Sequence, residues 1–201
     1  FLSTRGYVKE TDPFIKVKEV GLFPHPIFTS HYKTNGKEET DGSINAEFLY
    51  VHLINDPKAI VVDSLATYLT AHVAYKDKDG VPLFPPYWGI WADKPALSRL
   101  KPGEQPRDLL FTNIAPGMLG QKLNIGFHEI DKPYYYAYSQ ESALFKYYLN
   151  PKFKIKDKEV YVDIEIKGSI IDRSIKCKIT RRGKKVKIIQ IEKPKWENND
   201  C

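Results

Sequence analysis

The chain has 201 residues, a hydrophobic fraction of 42% and a charged fraction of 28%. That length suits one or two domains with a sizeable core, and the balance excludes wholesale disorder. No stretch approaches the roughly 18 consecutive apolar residues of a membrane-spanning helix, and the net charge of +6 gathers in residues 151–201, with 15 basic and 8 acidic side chains.

Period-two alternation dominates and predicts strands. Ile15-Lys16-Val17-Lys18 opens a strand over Ile15–Val20. The polar stretch 35–43, with Glu38 and Glu39, reads as an exposed loop. Phe48–Ile54 is a short run of β-formers, as expected of a strand covered on both faces. Leu65–Tyr75 puts Leu65, Thr67, Leu69, Ala71, Val73 and Tyr75 on one side. Lys76–Gly80 follows, where Asp79-Gly80 supplies the positive φ of a tight turn. A calcium loop there would need an acidic residue two positions before Asp77, and Tyr75 occupies that place.

A proline-rich aromatic loop spans Val81–Trp91. Leu100–Glu104 carries Pro and Gly in turn order, Arg107–Phe111 reads as a short strand, and Pro116-Gly117 as a turn. Leu123–Ile130 alternates again. Helix and strand stay equally open for Ser139–Leu149, which Asn150-Pro151 ends. Val160–Lys167, Ile175–Thr180 and Val186–Ile191 alternate as three further strands, with a turn at Arg181–Lys184, and the polar Trp196–Cys201 forms the end.

About nine or ten short strands and at most one short helix predict an all-β, antiparallel fold. The expectation is an Ig-like β-sandwich over residues 10–130, continued by a basic β-meander over 140–192 that either extends the same sheets or forms a second lobe.

The order of features over 15–130 carries a resemblance. An opening strand (Ile15–Val20) is followed by a strand ending in Asn (Val51–Asn55) and a long strand into a Gly turn (Leu65–Gly80). A Leu-x-Pro-Gly-Glu turn (Leu100–Glu104) then feeds a strand (Arg107–Phe111), and an alternating strand (Leu123–Glu129) closes the set. This resembles Ig-like β-sandwich modules of prokaryotic surface and envelope proteins, of the cell-adhesion-related type. The resemblance implies an adhesive or spacer module without catalysis. The aromatic insertion Phe84–Trp91 and the basic C-terminal meander depart from that pattern.

No nucleophile motif or P-loop occurs. The five histidines lack the helical spacing of a zinc site, and the two cysteines have no metal-ligand neighbours. No catalytic residue, metal or cofactor is indicated; a Cys177–Cys201 disulfide stays open. Tyr87, Trp88 and Trp91 are the candidate contacts for a protein or glycan partner, unless the two Trp rings fold down to plug the sandwich end. The run Tyr134–Tyr138 must point to both sides of a strand, so some of its rings are expected at the surface. Arg181, Arg182, Lys184 and Lys185 at a hairpin tip are the candidate anion site, for anionic lipid or nucleic acid.

The expected function is a non-catalytic interaction module of a larger, envelope-anchored or surface protein. The alternative is a cytoplasmic nucleic-acid-associated protein that uses the basic meander. The chain begins at Phe1 and its one methionine is Met118. That inclines the reading to an extracytoplasmic location, with an N-terminal signal or anchor outside this sequence.

Overall fold

A computed structural model describes residues 13–25, 27–32, 38–57, 64–92, 110–140, 142 and 149–192, with backbone alone for 27–32 and 38–42. The alternating segments become strands of two antiparallel sheets. In the first, β1 (Ile15–Pro24) pairs β4 (Ala46–Asn55), then come β9 (Gln121–Glu129), β10 (Tyr135–Ala137) and β11 (Lys154–Ile155), with β7 (Ile90–Trp91) also on β9. In the second, β14 (Lys185–Ile191) pairs β13 (Asp172–Arg182), then come β12 (Glu159–Lys167), β5 (Ala66–Lys76) and β6 (Tyr87–Trp88), with β8 (Thr112–Ile114) also on β5. The fold is an antiparallel all-β sandwich.

Period two explains the packing. Val160, Val162, Ile164 and Ile166 of β12 and Ile175, Cys177 and Ile179 of β13 face inward, where they meet Leu49, Val51, Leu53, Leu123 and Ile125 of the other sheet. Their outward neighbours carry charge, and Lys76–Asp163 (2.6 Å) and Lys178–Glu159 (2.8 Å) pair across strands. The meander joins the N-terminal strands: β12 runs along β5 from Tyr161↔Lys76 to Lys167↔Thr70. Of the two arrangements the sequence leaves open, the strands take the first and extend the same sheet.

Two expectations change. The polar stretch 35–43 is not all loop, because β3 (Glu38–Ile44) pairs β2 (Ile27–Tyr32) as a two-stranded sheet. Of the short strand expected at Arg107–Phe111, residues 107–109 fall outside the described residues, and β8 (Thr112–Ile114) follows directly after Phe111. Tyr135, Tyr136 and Tyr138 are all buried. Tyr135 belongs to the core between the sheets. Tyr136 and Tyr138 join a second cluster with Phe48, Ile90 and Phe127. Alternation puts that cluster on the far face of the first sheet, so this sheet is covered on both sides. The turn Leu100–Glu104, most of Ser139–Leu149, and Cys201 fall outside the described residues. Cys177 is a free, buried thiol whose pKa burial pushes up to about 12.

Burial also raises the phenol pKa of Tyr75, Tyr87 and Tyr135 above the ordinary value. Their contribution to stability is therefore fully present below about pH 10, the unfolded value. It is lost as the pH rises from there through the folded values. An absorbance titration should show exposed tyrosines ionising first and these three only together with unfolding. Smooth ionisation of all 13 tyrosines in a folded chain would contradict this packing.

Candidate functional site

The aromatic loop crosses from one sheet to the other. Tyr87 and Trp88 pair with Val73 and His72 of β5, and two residues later Ile90 and Trp91 pair with Asn124 and Leu123 of β9. Gly89 lies at the crossing, where a Cβ would stand 2.9 Å from a Leu123 methyl. The crossing sorts the three candidate rings. Tyr87 turns inward and its hydroxyl donates to the Ile125 carbonyl (3.2 Å), beside Tyr75, which donates to the same oxygen (2.7 Å). Phe84 and Tyr87 pack on Phe153 at 5.4 and 5.9 Å. Trp91 is fully buried and its Nε1–H donates to the Leu110 carbonyl (3.1 Å). Only Trp88 is at the surface, 44% exposed and 5.2 Å from the His72 ring. The three do not form one platform: Tyr87 and Trp91 plug the sandwich and Trp88 does not.

The basic hairpin also divides. Arg181 is held by its neighbours, donating from its guanidinium to the carbonyls of Gly183 (3.0 Å) and Lys156 (2.5 Å). Arg182 and Lys185 face each other across β13 and β14, and both are exposed. Lys184 stands 4.0 Å from the Asp131 carboxylate. With Lys187, three of the four candidate cations thus remain at the surface of this end.

The opposite end of the sandwich carries the surface that sequence reasoning misses. The rungs Ile15↔Asn55, Leu53↔Gln121, Ala66↔Ile114 and Lys167↔Asp172 all close there. Six of the ten large exposed apolar side chains among the described residues lie on it: Phe14, Leu65, Tyr68, Met118, Leu119 and Ile170. Met118 is 68% and Leu119 84% exposed. A cleft of about 620 Å³ lies beside them, lined by Lys18, Asn113 and the turn 114–121.

Polar bonds tie the connections together. Asn55 accepts from the Phe14 N–H (2.9 Å) and donates to the carbonyls of Ser64 and Ile114. The hydroxyls of Thr67 and Ser169 meet at 3.3 Å. His52 touches the Leu119 carbonyl through Nε2 (2.5 Å) and Glu19 through Nδ1 (3.3 Å). The His52 bond, then the Tyr50 hydroxyl, holds the Glu19 carboxyl below its ordinary range.

Tyr68 stands out on this end. Its φ is +52°, a left-handed conformation that costs a bulky residue roughly 1–2 kcal/mol. A β-bulge causes it: between the rungs Ala66↔Ile114 and Leu69↔Thr112, Thr67 and Tyr68 together oppose Asn113. The Asn113 side chain accepts from the Tyr68 N–H (2.8 Å), and the ring is turned out against Phe111 (6.3 Å, edge-on). Tyr68→Gly should therefore leave stability unchanged or raise it by up to about 1 kcal/mol. Thermal melts of the two proteins check this; a marked loss would show that the exposed ring itself holds the fold.

Among the described residues, no group of three or more His, Cys, Asp or Glu is placed to hold a metal ion. Nor is any helix among them long and apolar enough to cross a membrane. Comparison with family models, curated proteins and solved structures finds no match to this chain.

Proposed function

We propose that the chain is a non-catalytic interaction module and that its contact surface is the apolar end. The observation that carries this is the gathering of Phe14, Leu65, Tyr68, Met118, Leu119 and Ile170 at one end, while the outer faces of β12 and β13 are charged and paired. Exposed apolar side chains scattered singly need no explanation; a concentration of them marks a surface that something covers. The strained bulge under Tyr68 supports the reading, since backbone strain persists where a side chain is wanted in one direction. Trp88 alone is left of the aromatic loop as a rival anchor.

Met118 is the only methionine of the sequence, so it can be probed without mutation. The chain is made with a photoreactive methionine analogue and irradiated in the cell that produces it. The expected result is a covalent adduct at position 118 with another macromolecule or a lipid. Quenching by water alone would overturn the reading.

A second reading, association with nucleic acid, draws on the exposed Arg182, Lys184, Lys185 and Lys187. Replacing Arg182, Lys184 and Lys185 by Gln should then lower the slope of log affinity against log salt by about 0.9 for each phosphate that is no longer neutralised. Absence of binding at low salt ends this alternative.

A further inference from the structure

We propose that the apolar end seats its exposed side chains in the interfacial layer of an anionic lipid surface. This rests on the reading of that end as the contact surface, and it names the occupant.

Three observations select lipid over a protein groove. The first is shape. The exposed apolar side chains stand on separate connections: Phe14 before β1, Leu65 before β5, Tyr68 on the bulge, Met118 and Leu119 in the β8–β9 turn, and Ile170 in the β12–β13 turn. They are projecting tips, not one face of a strand. A protein partner must match such a profile with a complementary surface, packed as densely as an interior. The boundary between headgroups and acyl chains accepts tips of unequal height, because lipid packs around each of them.

The second is chemistry. Aliphatic tips stand beside aromatic rings and long cations. The Arg173 guanidinium lies 5.1 Å over the Phe14 ring, and Lys18 lines the cleft beside Met118 and Leu119. Tyr68 couples an apolar ring to a polar hydroxyl, the combination favoured at membrane interfaces. Lys and Arg stems lie along apolar surface while their heads reach headgroup depth.

The third is the balance of charge. Asp56 is paired with Lys16 and Glu165 with Lys167, while the Glu19 carboxylate, held in its charged form by His52 and Tyr50, has the positive charge of Lys122 to offset it. Asp172 is exposed and opposes the trend, but Lys18 and Arg173 are exposed as well. The balance left is one positive charge beside the apolar tips, which is complementary to anionic headgroups. The basic hairpin lies at the other end of the sandwich and cannot reach the same plane, so the two surfaces can be tested apart.

The experiment measures partition of the folded chain onto sedimenting vesicles of phosphatidylcholine and of an equimolar mixture with phosphatidylglycerol. A ¹³C label on the methyl of Met118 gives a single resonance that reports depth against spin-labelled acyl chains. The expected result is partition onto the anionic vesicles, with the Met118 methyl broadened by the spin label. Leu119→Ser should weaken partition about tenfold. Lys18→Gln should weaken it roughly fivefold. Arg182→Gln with Lys185→Gln should leave it unchanged. Both Met118 and Leu119 are exposed, so the fold of each variant can be verified by near-ultraviolet circular dichroism before its partition is read.

Equal partition onto neutral vesicles, partition that survives Met118→Ser with Leu119→Ser, or partition abolished by the hairpin variants would each overturn the proposal. A protein adduct at Met118 without any partition would overturn the lipid and leave the interaction module standing. Neither adduct nor partition would overturn both.

Discussion

Trp91→Ala is expected to destabilise the fold by about 3–5 kcal/mol, within the usual cost of deleting a fully buried large aromatic side chain. Trp88→Ala, three residues away, should cost less than about 1 kcal/mol. For a chain of this size each kcal/mol moves the melting temperature by roughly 2–4 °C, so the two variants should melt well apart. The contrast follows from one crossing. Trp91 is fully buried in the core between the sheets, and its loss would empty that volume and strand the Leu110 carbonyl that its indole N–H satisfies. Trp88 lies on the outer face of β5, where it covers one side of His72 and leaves nearly half its surface to water. Thermal melts of both variants check it. Equal melting temperatures would mean that the chain does not change sheets at Gly89, and the assignment of the aromatic loop would fall with it.

The strands legible in the sequence are those with one inward face. β5, β12, β13 and β14 alternate because a single core takes every second residue and water takes the others. β4 is legible for a different reason: Phe48–Ile54 is apolar on both faces except at His52, because Leu49, Val51 and Leu53 fill one cluster while Phe48 fills the other. The β2–β3 hairpin escapes a reading by pattern, since its second strand, Glu38–Ile44, is polar and two strands alone impose little periodicity. The local signal that could reveal it is Asn35-Gly36, a pair favoured in tight hairpin turns. The tyrosine run misleads because only a wet far face on the first sheet would leave its rings exposed, and nothing in Tyr134–Tyr138 itself tells which cover it will meet.

The candidate site is less legible than the fold. Met118 and Leu119 are apolar, and nothing in the pair itself tells that it stays at the surface after the Pro116-Gly117 turn. Their exposure is set by Gly120 and by β4, far away in sequence. Tyr68 sits in a clean alternation, where its outward position is expected but its left-handed backbone is not. The cause of the bulge is Asn113, 45 residues on, whose side chain takes the bond that a regular ladder would have claimed. In the aromatic loop the deciding residue is Gly89. Two Trp three apart on one strand would face opposite ways in any case, and a crossing between sheets at the glycine makes one of them core. The hairpin cations do lie at a tip, but Arg181 is drawn into the carbonyls of Gly183 and Lys156, and only the tertiary approach of residue 156 supplies the second of these.

Gly120→Ala is the second large effect, and Gly117→Ala is its control. Both glycines lie in the turn that presents Met118 and Leu119, and both are left-handed, with φ of +84° and +73°. A left-handed alanine alone costs about 1–2 kcal/mol, and that is all Gly117→Ala should show, because nothing lies within 4 Å of its added Cβ. At Gly120 the added carbon would stand 2.1 Å from the Leu53 carbonyl oxygen and 2.7 Å from an Ile54 methyl. The first of these is backbone inside β4 and cannot swing aside, so the turn must lift off the strand. Total destabilisation should reach about 3 kcal/mol or more. The lift would also draw the Leu119 carbonyl away from His52, and through His52 disturb the Glu19 carboxylate that it helps to hold in its charged form. Two measurements decide it: thermal melts of both variants, and the ring resonances of His52. A Gly120→Ala protein that melts with Gly117→Ala and keeps the His52 resonances would show that the turn does not rest on β4. The exposed pair would then lack the rigid seat that the proposed contact surface requires.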